Sequence, residues 1–126
     1  MKIYLSHSSN FDFQNELYAP LIRLFSAEHD VYLPHSPENA GKNTKDIIAD
    51  SDVVLAEVSY PSTGQGIELG WAEAAGIPIL CFHKTDSKPS GALTHITQIL
   101  VTYNTEDDMI TQLTTAVKDA LHQNNS

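Results

Sequence analysis

Short, almost wholly apolar runs recur along the chain, and most are followed by a stretch with helical spacing. The runs are residues 2–6, 31–33, 52–58, 77–82 and 98–103. A strand that is apolar on both sides has to be covered on both faces, which points to a parallel sheet with helices packed above and below. Residues 11–28 place Leu17, Leu21, Leu24 and Phe25 at helical spacing. Pro20 predicts a kink there, or a helix whose main part begins near Ala19. Residues 44–50 and 92–97 read as short helices, and 65–75 as a longer one closed by Gly76. Residues 106–122 carry an apolar stripe of Met109, Ile110, Leu113, Val117 and Leu121. Segments 36–42 and 84–91 read as loops. Five strands alternating with helices in 126 residues predict one doubly wound α/β domain over residues 1–122, with a frayed tail at 123–126.

Charge narrows the partners. Seven Lys and Arg against sixteen Asp and Glu leave a net charge of −9. A nucleic acid polymer needs a basic footprint and is not expected as a partner. A single phosphate can still be held by backbone N–H groups and hydroxyls at helix starts. No apolar run approaches the roughly 20 residues of a membrane helix, and the first residues do not read as a signal peptide. A lone cysteine, Cys81, excludes an internal disulfide and fits a reducing compartment. A cytoplasmic location is the expectation.

Right-handed crossovers bring the carboxyl ends of parallel strands to one edge, where ligands of open α/β sheets bind. Just past those ends lie His7, Ser8, His35, residues 57–62 and His83. The segment Ser-Thr-Gly-Gln-Gly-Ile-Glu-Leu-Gly-Trp-Ala at 62–72 opens a helix at that edge. It puts Glu68 in a predicted first turn, and Gly64 and Gly66 let another molecule approach the backbone. Two readings of Glu68 stay open. Ser62-Thr63-Gly64-Gln65 matches a capping box, and acidic residues favour a helix start for structural reasons alone. A negative charge favoured there also suits a nucleophile better than a proton donor. Glu57, in a buried strand, needs a partner and is either a site residue or a satisfied core carboxylate. Tyr4 reads as core, and Gly70 as permitting close helix–sheet packing. Metal-ligand spacings, a Gly-x-Ser-x-Gly elbow, a dinucleotide fingerprint after the first strand and a Walker motif are all missing. No metal or cofactor is expected.

Residues 51–58, 61–70 and 76–81 together resemble the nucleoside 2-deoxyribosyltransferase superfamily, nearest its 2′-deoxynucleoside 5′-monophosphate N-glycosidase branch. The likeness is strongest over 51–82 and extends to 3–35 and 90–96. It implies a flavodoxin-like five-stranded sheet in the order 2-1-3-4-5. It also implies cleavage of the N-glycosidic bond of a (deoxy)nucleoside or its 5′-monophosphate through a covalent sugar intermediate, without a cofactor. Glu68 matches the family nucleophile, and Tyr4 a tyrosine beside the sugar and that nucleophile. Ser62 falls where the nucleotide hydrolases have a phosphate-binding serine and the nucleoside transferases an aspartate. Thr94 resembles a serine that reaches the phosphate from a neighbouring subunit, so a homodimer is expected.

The chain also departs from the family pattern. Its first loop, Ser6-His7-Ser8-Ser9-Asn10, lacks the usual glycine and arginine, and His7 is expected to compensate for the lost charge. The family's catalytic aspartate falls on Thr44, and Asp46 takes that role only with a local shift. His35 and Glu57 are the other candidates for protonating the leaving base. The expected substrate-binding set is thus His7, Ser8, His35, Ser62, Gly64, Gly66 and Thr94, around a catalytic group of Glu68, Tyr4 and Asp46. Alternatives are transfer of the sugar to a second base and a non-catalytic nucleotide-binding module. Residues 3–9 also resemble the opening of TIR domains, some of which cleave NAD.

Overall fold

The computed structural model describes residues 1–97 and 99–124. Five parallel strands, β1 (Lys2–His7), β2 (Asp30–Tyr32), β3 (Val53–Glu57), β4 (Ile79–Lys84) and β5 (Leu100–Tyr103), lie in the order β2-β1-β3-β4-β5. This is the expected flavodoxin-like order. Four α-helices cover the sheet: α1 (Ala19–Phe25), α2 (Thr44–Ala49), α3 (Thr63–Ala74) and α4 (Glu106–Asn124).

Side chains alternate across each strand, and the two faces build two cores. Ile3, Leu5, Val53, Leu55, Leu80 and Phe82 pack against Leu21 and Phe25 of α1 and Met109, Leu113 and Val117 of α4. Tyr4, Val54, Ala56 and Cys81 pack against Ile48 of α2 and Leu69 and Ala72 of α3. The register of β1 on β3, with Tyr4 opposite Val54 and Ser6 opposite Ala56, therefore decides which residues of β1 face α3. A slip by one residue would present Ile3, Leu5 and His7 there instead.

Several boundaries differ from expectation for local reasons. The stretch expected to be helical over 11–28 opens as one π-turn, Gln14–Tyr18, and becomes α-helical from Ala19. The Ala19 N–H bonds to the Gln14 carbonyl, one residue further back than in an α-helix. Pro20 follows with no N–H to give. α3 starts at Thr63, two residues early, because Ser62 caps it by accepting from the Gln65 N–H at 3.4 Å. The capping box is only half formed, since the Gln65 side chain donates to the Glu57 carbonyl at 2.8 Å instead of turning back to Ser62. Residues 91–95 form a 3₁₀ turn. In α4, Met109, Leu113 and Val117 of the expected stripe are buried and Ile110 is half-buried. The side chain of Leu121 lies outside what is described. So do Gln98, at the expected start of the fifth strand, and Asn125 and Ser126 of the expected frayed tail. Among the described residues, no helix is long and apolar enough to cross a membrane.

Gly76 ends α3 in the left-handed region, at φ +73°. Gly70 is exposed, and a Cβ there, as at Gly76, would meet nothing within 4 Å, so the close packing expected at Gly70 is not its role. The two glycines separate backbone conformation from packing. Gly76→Ala should lower the unfolding free energy by about 1 kcal/mol. Gly70→Ala, inside the helix, should raise it by a similar amount, about 1 kcal/mol. Urea denaturation of the two variants checks both signs.

Candidate active site

Helix α3 carries Glu68 over the carboxyl edge of β1 and β3. Because α3 begins early, Glu68 stands in the second turn, and the first turn holds no acid. The dipole effect expected to act on it fades beyond the first turn. Its orientation comes from β1 instead. The Tyr4 hydroxyl donates to Oε2, and the Ser6 hydroxyl donates to Oε1 at 3.0 Å. Both donors sit on the α3-facing side of β1, two residues apart. Tyr4 is fully buried, its ring stacked on Tyr32 with centroids 5.5 Å apart and planes 14° apart. Burial, then the adjoining Glu68 carboxylate, push its phenol well above the ordinary tyrosine range, so it keeps its proton and stays a donor.

Glu68 is half-buried, and it borders an open cleft of about 370 Å³. His7, the last residue of β1, and Ser9 just past it wall the cleft, with His35 beyond β2. Thr44 of α2 faces them, and Ser62, Gly64, Gln65, Ile67 and Trp71 form the α3 side. Glu68, His7, His35, Ser62 and Gly64 are thus brought together, with Tyr4 behind the carboxylate.

The other expected site residues lie elsewhere. Asp46 is exposed and lines a separate cavity with Lys2, Asp30, Lys42 and Asp50. Two positions apart on a helix, Thr44 and Asp46 point about 200° away from each other, so only Thr44 reaches the cleft. Ser8 is buried, its Oγ accepting from the Asn10 N–H at 3.0 Å; Ser9 takes the place in the wall. Gly66 faces a different cavity of about 460 Å³ across α3, bordered by Val58, Leu69 and Leu93, which Ser62 also touches. Thr94 is exposed and lies outside the cleft, with its hydroxyl on the Gly91 carbonyl at 3.0 Å. Glu57 is a satisfied core carboxylate on the opposite side of the sheet. It accepts from the Ser59 N–H at 2.6 Å, the Ser59 hydroxyl at 2.9 Å and the Tyr103 hydroxyl. His83 is held by the Lys84 carbonyl and the Ser87 hydroxyl, at 2.8 and 3.0 Å.

His7 does not supply the expected charge. Its Nδ1 lies 2.8 Å from the Ser8 carbonyl and its Nε2 2.6 Å from the Tyr18 hydroxyl. A carbonyl only accepts, so Nδ1 bears the proton and Nε2 accepts from Tyr18. The same Tyr18 oxygen accepts from the His35 backbone N–H at 3.0 Å. Burial pushes the imidazole down to about 4; nearby His35 acts in the same direction and the Ser8 carbonyl against it. His7 is a neutral wall, not a substitute for arginine.

Sequence reasoning missed Ser6 and Tyr18 as site residues. Ser6 had a signal, since it is a polar residue two positions after Tyr4 in an otherwise apolar strand. Tyr18 had none, because its role depends on the π-turn.

A parallel five-stranded sheet with a carboxylate in an open cleft at its carboxyl edge defines a flavodoxin-like domain with a candidate ligand site. No protein-family model matches the chain. A Trichoplax adhaerens protein with the provisional name 2′-deoxynucleoside 5′-phosphate N-hydrolase 1 is 36% identical over 83 residues, 57% of this chain and 58% of that protein. The chain therefore spans little more than half the length of that relative. Among solved structures, a CMP N-glycosidase of Clostridium botulinum superposes with a TM-score of 0.67 at 22% identity, over 90% of this chain and 98% of the other. A 2-deoxyribosyltransferase of Bacillus psychrosaccharolyticus does so with a TM-score of 0.61 at 20% identity, over 87% and 90%. At those identities the likeness concerns the fold. The chain is thus similar in part of its sequence to 2′-deoxynucleoside 5′-phosphate N-hydrolases, and in fold to an N-glycosidase and a 2-deoxyribosyltransferase.

The neutral His7 has a thermodynamic consequence. In the unfolded chain it titrates near 6.5, so between about 6.5 and 4 the unfolded state binds a proton that the folded ring refuses. Stability should fall as pH drops through that window, by about 3 kcal/mol in all, and be unaffected above it. Urea denaturation at pH 7 and pH 4 should show the wild type losing about 3 kcal/mol more than His7→Gln does.

Proposed function

We propose that this protein hydrolyses the N-glycosidic bond of a (deoxy)nucleoside or (deoxy)nucleoside 5′-monophosphate through a glycosyl-enzyme on Glu68. One observation carries the reading: a carboxylate with a hydroxyl donor on each oxygen stands in the wall of an open cleft at the ligand edge of the sheet. Glu68 attacks C1′ as the base departs, through an oxocarbenium-like state, and water then releases the sugar with retained configuration. Ser62 and the backbone N–H groups opening α3 hold the 5′ end. Of the three candidates for protonating the base, Asp46, Glu57 and His35, only His35 borders the cleft. The name of the Trichoplax relative supports a 5′-phosphorylated substrate. A homodimer, in which Thr94 of the partner subunit closes the phosphate end, and a cytoplasmic location belong to the same proposal.

One observation favours a second reading. Thr44, and no acid besides Glu68, borders the cleft, as suits a module that binds a nucleotide without cleaving it. Such a module would show saturable binding and no free base.

The protein, incubated with nucleosides, nucleoside monophosphates and NAD, is expected to release free base from a nucleoside or its monophosphate, as followed by chromatography. Added free adenine separates transfer from hydrolysis. Glu68→Ala should lower base release at least about a thousandfold while the variant still unfolds cooperatively. A Glu68→Ala protein that retains turnover contradicts the nucleophile assignment.

A further inference from the structure

The Ser6 hydroxyl has a part to play after the base has left. We propose that Ser6 speeds the second half of the reaction by stabilising the Glu68 carboxylate as it departs from the sugar. This rests on the glycosidase reading above.

Each oxygen of Glu68 takes one hydroxyl, Oε2 from Tyr4 and Oε1 from Ser6 at 3.0 Å. Ser6 is fully buried in β1, fixed opposite Ala56 of β3. It does not border the cleft, so it acts through Glu68 and is a positioning residue.

The two half-reactions treat that carboxylate in opposite ways. In the first, a lone pair of a Glu68 oxygen forms a bond to C1′. The C1′–N pair leaves with the base, which takes a proton from His35 or solvent. The carboxylate has become a neutral ester. In the second, a water oxygen bonds to C1′, the C1′–O pair returns to Glu68, and a proton of that water passes to His35 or solvent. Hydrogen bonds to an ionised oxygen are roughly twice as strong as those to a neutral one. The two hydroxyls therefore hold the free carboxylate more tightly than the ester. They lower the barrier to the step that regenerates the charge and oppose the step that consumes it. Tyr4 alone cannot serve both oxygens, and Ser6 completes the pair.

The test uses the deoxynucleoside or deoxynucleoside 5′-monophosphate that the wild type cleaves fastest among those of the four common bases. Ser6→Ala removes one buried oxygen; Ser6→Cys keeps the volume with a weaker donor. Reactions are quenched in acid, base release is timed, and the intact protein is weighed by mass spectrometry. For Ser6→Ala the expected result is a burst of base equal to the enzyme concentration. Its kcat should be about tenfold lower, KM should fall in parallel, and kcat/KM should be undiminished. Most of the protein should carry the mass of the sugar or sugar phosphate. Ser6→Cys should fall between the two, and it carries the test if Ser6→Ala does not unfold cooperatively. Unchanged kcat and KM in a folded variant, or a loss of kcat/KM without the adduct, overturns the role of Ser6 alone. A wild type that releases no base overturns the glycosidase reading and this role with it.

Discussion

Two hydroxyls of the first strand meeting one carboxylate of the third helix hold this site together. Tyr4 and Ser6 are separated from Glu68 by more than sixty positions of chain, and only the doubly wound topology brings them together. β1 lies beside β3, and the chain leaving β3 turns back over the sheet as α3. Strand alternation then does the selecting. The side of β1 that offers Ile3 and Leu5 to α1 and α4 is filled with hydrocarbon, while the other offers two O–H groups to α3. The cleft is the space left between that carboxylate and the loops that follow β1 and β2.

Apart from Ile67 and Gly64, the side chains walling the cleft are polar or aromatic, and Glu68 is the one carboxylate among them. His7, Phe13, Tyr18 and His35 form one cluster, with His7 centred 4.7 Å from Phe13, 5.0 Å from Tyr18 and 4.7 Å from His35. The Tyr18 hydroxyl ties its two histidine positions together. Lys84 lies outside this cleft. Glu16 and the Tyr60 hydroxyl, each 2.9 Å away, engage it, and both neighbours push its ammonium higher. An anionic ligand here would meet hydroxyls and backbone N–H groups. The second carboxylate at the edge, Glu57, serves the scaffold. Its side chain fixes the turn through Ser59, and its carbonyl anchors Gln65 at the start of α3.

Much of this was legible in the chain itself. Apolar runs gave away the strands: β1, β3 and β4 are buried on both faces, and the edge strands β2 and β5 are partly exposed. Gly76 marked the end of α3 because capping is local chemistry, and Ser62 matched a cap although the helix start was placed two residues late. Tyr4, Glu68, Ser62, Gly64 and His35 were singled out and do converge. What stayed hidden depended on tertiary phase or surroundings. A serine inside an apolar run looks like filler until its strand partner fixes which way it faces. Thr44 and Asp46 differ only in rotation about α2, and sequence spacing does not set that rotation. The neutral state of His7 arises from burial among Phe13, Tyr18 and His35, which come together only on folding. The same holds for Gly66, which lies two positions from Gly64 yet opens onto another cavity.

The most direct test of Glu68 as the group aimed at the anomeric carbon is a crystal structure of the Glu68→Gln variant with an uncleaved deoxynucleoside 5′-monophosphate. The expected complex has C1′ about 3–3.5 Å from the side chain at position 68, with the 5′ end beside Ser62 and the base toward His35. A ligand bound with its C1′ out of reach of position 68, or seated in the cavity across α3, would contradict it.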